Sequence, residues 1–421
     1  MGKKLTAWGA GLALLGFAVL AAVPLHGGRA RAPARLVAAA RSEGPLAVGA
    51  AEASFPVPEG TPVAGFPRVR WAALGVRDAP AARAVVLSEP GLSVAVVSAD
   101  LLLVPPELRR SVEARLADLK LDALVLAATH THSGPGGYWK DLLGERFATG
   151  PYDARALESI SETIAGAVRR AFAARAPAAL SVGRARLTGL TVNRDGGEVD
   201  GRLLALRATG PEGQVLAQVV VFPAHATIVD PKSRLLSGDW PGALARELPG
   251  VTVFLQGAVG DQTWTNAPGA ATGPEGYARE VAAAVSRLAF SPGSDRPPLG
   301  LATAEVALPA PSFGAVPRFL DRLLSNLLWD WLPSRATVTV LRLGPALLLA
   351  VPAEPAEEVG RRWREALGDA EVVSLAGDYL GYVETPQRVL ARVGEAKRTY
   401  LGPDLAYVLG DGLVEAARAA Q

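Results

Sequence analysis
The feature that most constrains this chain is the alternation of uncharged, β-type runs with segments of helical period. Residues 92–99 read LSVAVVSA, eight positions without a charge, as expected of a buried strand. Residues 106–119 follow with Leu108, Val112 and Leu116 on one helical face. The pattern continues with a strand at 121–128, a long helix at 153–174, and strands at 215–222 and 251–255. A strand pair at 337–351 turns at Gly344-Pro345, and helices at 355–367 and 404–420 close the chain. This predicts an α/β fold: a mixed β-sheet core covered by helices, in a single domain over 49–421. With hydrophobic residues at 49% and mean hydropathy of +0.22, the chain can bury a large core.

Chemistry concentrates at the ends of two of these strands. The chain has four histidines, and only His26 lies outside the body. His130 and His132 follow the run 121–128 at i and i+2, a spacing that puts both imidazoles on one side of extended backbone. Ser133-Gly-Pro-Gly-Gly137 then gives a tight loop of little bulk, which predicts open space in front of the rings. His225 comes just after the run 215–222. α/β proteins build sites at the ends of buried strands. Each histidine alone reads more readily as structural; three at strand ends, with no other in the body, point to a site. Zinc is the natural ion for imidazole plus carboxylate donors, because the chain has no cysteine.

The segment Thr129–Tyr138, THTHSGPGGY, resembles the signature of the neutral/alkaline non-lysosomal ceramidases, a family of zinc amidohydrolases. Further segments resemble the family in the same order: Asn193-Arg194, His225 with Ser237-Gly238-Asp239, QGAVGD at 256–261, Glu354 in VPAEP, Tyr382 in GYVETP, and YLGP at 400–403. The resemblance runs from about Ala50 to the C-terminus. It implies that His130, His225, Glu354 and Tyr382 hold Zn²⁺, that His132 is the general base, and that Arg194 holds a substrate oxygen. It also implies a substrate contact at Thr263. Asp100 and Asp239 are the expected acceptors behind the metal-bound imidazoles. Taken alone, Glu354 also reads as a helix N-terminal acid, Tyr382 as an ordinary half-buried aromatic, Arg194 as a surface charge, and Ser237-Gly238-Asp239 as a turn.

The departures fall around the substrate. Thr263 stands where the family has serine, Trp264-Thr265 replace its Pro-Asn pair, and the position of a second family tyrosine falls on Gly394. The chain also stops after the catalytic-domain helix, without the family's C-terminal immunoglobulin-like domain. The implied function is zinc-dependent hydrolysis of an N-acyl amide bond, of ceramide or a related lipid, by zinc-activated water. The alternatives are a zinc hydrolase of a different amide or ester, and a non-catalytic lipid-binding relative.

The N-terminus suggests where such an enzyme works. Lys3-Lys4 precede an uninterrupted apolar run at 5–25, so residues 1–27 read as a signal peptide or membrane anchor and 28–48 as a Gly/Ala/Pro/Arg linker. The expected location is exported: periplasmic or extracellular, free or anchored. Residues 319–332, FLDRLLSNLLWDWL, repeat apolar side chains at helical spacing, as in a packed amphipathic helix or an interfacial helix at a membrane surface. No nucleic-acid partner is expected: 43 basic residues face 41 acidic ones without a basic cluster in the body. No Walker A, G-x-G-x-x-G, G-x-S-x-G or H-E-x-x-H motif is present.

Overall fold
The computed structural model describes residues 26, 29, 31–66, 72–265, 272–314 and 316–421. The apolar run 5–25 lies outside the described residues. The described chain forms three large helix-covered sheets, each mixing antiparallel with parallel pairing, beside three two-stranded ladders. The first orders Ala123–Ala128, Leu92–Ala99, Ala81–Glu89, Ala47–Ser54 and Ala176–Pro177. The second orders Val251–Gln256, Val215–Phe222, Arg202–Thr209 and Ala179–Arg186. The third orders Arg35–Ser42, Leu299–Ala307, Arg335–Leu343, Ala346–Ala350 and Ala370–Val373.

In each sheet one edge pair is parallel and the rest are antiparallel. Parallel strands need a crossover, and here each crossover contains one helix. Pro106–Arg115 joins Leu92–Ala99 to Ala123–Ala128, Asp239–Glu247 joins Val215–Phe222 to Val251–Gln256, and Glu357–Leu367 joins Ala346–Ala350 to Ala370–Val373. The fold therefore contains three βαβ units, one per sheet.

Alternate side chains of these strands enter different cores, which is why the runs are apolar at successive positions. Val85 and Val94, Leu206 and Val219, and Leu301 and Leu341 meet in one central cluster drawn from all three sheets. On the outer faces, Val97 and Leu126 pack on Leu108 and Ile164. Phe222 and Phe254 pack on Trp240 and Tyr277. Val340 and Leu349 pack on Trp363 and Leu409.

Within the stretch expected to be a linker, 28–48, the described residues include regular structure. Arg35–Ser42 is an edge strand, antiparallel to Leu299–Ala307, and Ala47 already begins the next strand. A run of Ala and Arg has little intrinsic strand preference, but a waiting sheet edge supplies partners for its amides. Truncation up to Ser42 should therefore lower Tm by roughly 5 °C and expose an aggregating edge. An unchanged thermal melt would mean that this segment is dispensable, as a linker would be.

Candidate metal and substrate site
The carboxyl ends of all six parallel strands converge. After Ala123–Ala128 comes His130, whose φ of 64° is left-handed. That turn, not strand alternation, aims its ring toward His132, and the two Nε2 atoms stand 3.5 Å apart. After Val215–Phe222 comes His225, and after Ala346–Ala350 comes Glu354. A short parallel ladder pairs Glu354 with Tyr382, which fixes their relative position.

The glycines after His132 do not open the site. A Cβ on Gly136 would lie 2.1 Å from Thr149 O, and one on Gly134 would lie 2.6 Å from Asp100 O. They are glycine because buried backbone passes against them.

Hydrogen bonds assign the protons of the two buried imidazoles. His130 Nδ1 lies 2.7 Å from Leu102 O, and His225 Nδ1 lies 2.8 Å from Gln262 O. A carbonyl can only accept, so each Nδ1 carries a hydrogen, and in the neutral ring Nε2 then presents a lone pair. Burial, with Arg194 nearby, pushes His225 down to about 4, so its ring is neutral at pH 7. Both lone pairs face Glu354 Oε2, at 3.1 Å from His130 Nε2 and 3.3 Å from His225 Nε2. These contacts satisfy an ion-pair distance, but Oε2 has no hydrogen-bond donor while both rings keep their protons on Nδ1.

Lone pairs crowded this way repel unless positive charge lies between them. Tyr382 OH completes the group, 3.3 Å from His225 Nε2. Ligand atoms around a tetrahedral zinc stand roughly 3.3 Å apart. Donor type, spacing and the orphaned carboxylate oxygen therefore all fit a divalent cation. Burial first, and the Glu354 charge second, hold the Tyr382 phenol well above its usual range. It is a neutral donor until a cation draws off its proton.

His132 differs from the other two rings. The ring nitrogens of all three histidines lie within 4.8 Å of one another. His132 Nδ1, however, is buried without a hydrogen-bond partner, so nothing among the described residues orients it as the carbonyls orient His130 and His225. Its ring packs on Phe66 at 4.9 Å. Burial and the neighbouring His130 and His225 keep it neutral, well below its usual range.

Asp100 and Asp239 are not the imidazole acceptors. Asp100 instead binds Arg83 Nη1 and the Ala81 amide, both at 2.9 Å, and accepts from Thr129 Oγ1 at 3.2 Å. Asp239 accepts from the amides of Val229 and Trp240, at 2.9 and 2.6 Å, and burial pushes it up to about 6. Each pins backbone beside a histidine rather than the ring itself. Arg194 stands at the cavity wall, paired with Glu395 at 2.9 Å and hydrogen-bonded to Gly260 O, with its guanidinium 5.9 Å from the Tyr382 ring. Thr263 also lines the cavity, on a bridge that pairs it with His225.

Three further residues emerge only from the structure. Tyr379 OH donates to Glu354 Oε1 at 2.8 Å. Gln256 Nε2 donates to Thr129 O and Ala224 O, both at 2.9 Å, and so ties the segments leading into His130 and His225 together. Arg398 faces the Tyr382 ring at 5.5 Å. Tyr379 sits three residues before Tyr382, and Gln256 sits in a noted segment, but their roles depend on contacts between distant strands.

Above the donors lies a cavity of about 720 Å³, walled by Phe66, Trp139, Phe313, Trp331, Tyr379 and Tyr400 among others. That volume and apolar lining suit an acyl chain rather than a small polar substrate.

The donor set makes a direct prediction. The intact chain should bind roughly one zinc, and the His130→Ala/His225→Ala double variant none, with the far-UV spectrum unchanged. Stoichiometric metal in that variant contradicts the assignment. Gln256→Leu leaves two buried carbonyls without their donor, so it should cost roughly 1–3 kcal/mol of stability. It should also weaken zinc binding measured by chelator competition.

Residues 46–248 match the family profile "Neutral/alkaline non-lysosomal ceramidase, N-terminal". That stretch carries Asp100, His130, His132, Arg194, His225 and Asp239; Thr263, Glu354 and Tyr382 lie beyond it. The neutral ceramidase of Mycobacterium tuberculosis is 30% identical over 169 residues, 36% of this chain and 26% of that protein. The neutral ceramidase of Pseudomonas aeruginosa is 25% identical over 227 residues, 47% of this chain and 33% of that protein. The matched stretches thus span about a quarter to a third of those relatives. In structure, the P. aeruginosa neutral ceramidase superposes with a TM-score of 0.77 at 20% identity, covering 89% of this chain and 74% of that one. A ceramidase complexed with C2 gives 0.75 at 20% identity, covering 89% and 75%. The fold is therefore shared with the neutral ceramidases, and residues 46–248, just under half of the chain, match the neutral/alkaline non-lysosomal ceramidase family.

Proposed function
We propose that this protein is a zinc-dependent hydrolase of the N-acyl amide bond of a lipid, ceramide or a close relative. The observation that carries the reading is the group of unprotonated donors on Glu354, His130 and His225 at the floor of an apolar cavity. Those three residues and Tyr382 would hold the cation. Zinc bound there supplies Lewis acidity, which lowers the pKa of a water and polarises the scissile carbonyl. The relatives that share its family profile are neutral ceramidases, which supports a lipid amide as the substrate class.

The chain's own residues do the rest. His132 is neutral and lies beside the donor group, so its free nitrogen can take the proton of the attacking water. It then returns that proton to the amide nitrogen as the C–N bond breaks. The products are a carboxylate and an amine. Arg194 brings positive charge to the same wall and would stabilise negative charge developing on the carbonyl oxygen. The aromatic walls exclude water from the acyl chain. Thr263 contributes a hydroxyl at the cavity edge and no base to activate it, so it contacts substrate rather than attacking it.

His132→Ala should lower kcat by about 10²–10⁴-fold, the span for losing a general base, with zinc content unchanged. Thr263→Ala should cost much less. The assay is hydrolysis of fluorescent N-acyl amides, ceramide included, beside matched esters. Loss of zinc in His132→Ala would make His132 a ligand. Turnover of esters alone would move the activity to the ester class.

A further inference from the structure
Residues Arg318–Leu327 form the helix expected from the apolar spacing, but its apolar stripe is not packed away. Only Leu323 is buried, whereas Phe319 is 55% and Leu327 60% exposed. The polar side chains do the fastening: Asp321 accepts from the Phe313 amide at 2.6 Å, and Ser325 donates to Pro311 O at 2.9 Å. A surface helix normally does the reverse, turning its apolar stripe to the core. The turn that follows carries Trp331, which lines the site cavity and is also exposed. Phe147, on the helix Leu142–Phe147, lines the same cavity and is 58% exposed. Exposed Arg146 and Arg318 stand next in sequence to Phe147 and Phe319. Trp331 and Phe147 therefore stand exposed at the cavity, next to a helix that exposes Phe319 and Leu327, with exposed Arg146, Arg318 and Asp330 adjacent in sequence.

The path of the chain identifies what covers these side chains. The apolar run 5–25 has 21 residues, enough to cross a bilayer core, and it ends one residue before His26. The His26 ring stacks on Trp329 at 4.7 Å, within 11° of parallel. Arg29 donates to Pro309 O, Trp329 O, Leu332 O and Pro333 O, at 2.6–3.2 Å. The chain thus enters the described fold against the C-terminal end of the exposed helix. Whatever the apolar run inserts into lies beside Phe319, Leu327 and Trp331. No helix among the described residues is long and apolar enough to cross a membrane.

We propose that the face formed by Phe319, Leu327, Trp331 and Phe147 docks on the surface of the lipid bilayer that holds the N-terminal run, so that the cavity opens onto the acyl region. A lipid substrate would then enter sideways from the bilayer without crossing water. This purpose rests on the lipid-amide reading; the docking itself does not.

The chain has no cysteine, so single labels can be placed without background. Full-length Leu327→Cys, Phe147→Cys and Glu212→Cys variants would carry an environment-sensitive fluorophore in vesicles of phosphatidylcholine and phosphatidylglycerol. Glu212 is exposed, in the hairpin before Val215–Phe222, at the strand end remote from His225. Docking predicts that doxyl-labelled lipid removes most of the fluorescence at 327 and 147 and none at 212. Three equally unquenched labels would mean a tether without docking and would overturn the proposal. So would labels at 327 and 147 that a water-soluble quencher reaches in the vesicles as fully as it reaches the label at 212, because the face would then be in water. All three readouts are independent of amide hydrolysis.

Discussion
Three lone pairs meet where only a cation can reconcile them. Leu102 O and Gln262 O fix the Nδ1 protons of His130 and His225, which leaves both Nε2 atoms bare toward Glu354 Oε2. Without those carbonyls either ring could turn its N–H to the carboxylate and form an ordinary buried pair. The backbone thus shapes a site that could hold a metal ion, and much of the surrounding structure serves to hold that shape. Gln256 ties the two histidine segments to each other. Tyr379 occupies the second oxygen of Glu354, so Oε2 is the one left facing inward.

The three βαβ units explain how distant sequence reaches this point. In each unit one parallel strand ends in a donor, and its partner ends in the group that orients a donor or adds another. The first unit supplies His130 and the carbonyl of Leu102. The second supplies His225 and the carbonyl of Gln262. The third supplies Glu354 with Tyr379 and Tyr382. Sites form at the carboxyl ends of strands because chain direction changes there. Here three such pairs of ends, each from the parallel pair at the edge of its own sheet, close around one small volume.

Much of this was legible in the sequence, for identifiable reasons. Buried parallel strands are uncharged, so Leu92–Ala99, Ala123–Ala128, Val215–Phe222 and Val251–Gln256 stand out, and the histidines beyond Ala123–Ala128 and Val215–Phe222 draw attention to the site. The strands that escaped notice, such as Ala179–Arg186 and Arg202–Thr209, carry several arginines at their solvent ends. Arg35–Ser42 looked like a linker because its strand character comes from a partner more than 250 residues away. The imidazole acceptors were assigned to Asp100 and Asp239 because carboxylates are visible in a sequence. The true acceptors are main-chain carbonyls, which every residue has, so no side chain marks them. The position of the second family tyrosine is closed for a spatial reason. Gly394 has a left-handed φ of 60°, which strains any L side chain, and a Cβ there would also displace the Arg388 guanidinium from its pairing with Asp195.

X-ray absorption at the zinc edge of the purified full-length protein tests the central claim most directly. The account predicts a stoichiometric metal with a first shell of nitrogen and oxygen at roughly 2.0–2.1 Å, and outer-shell scattering from two imidazoles. Scattering from three imidazoles would put His132 on the metal and remove the proposed base. Full amide turnover by protein without bound metal would contradict the account altogether.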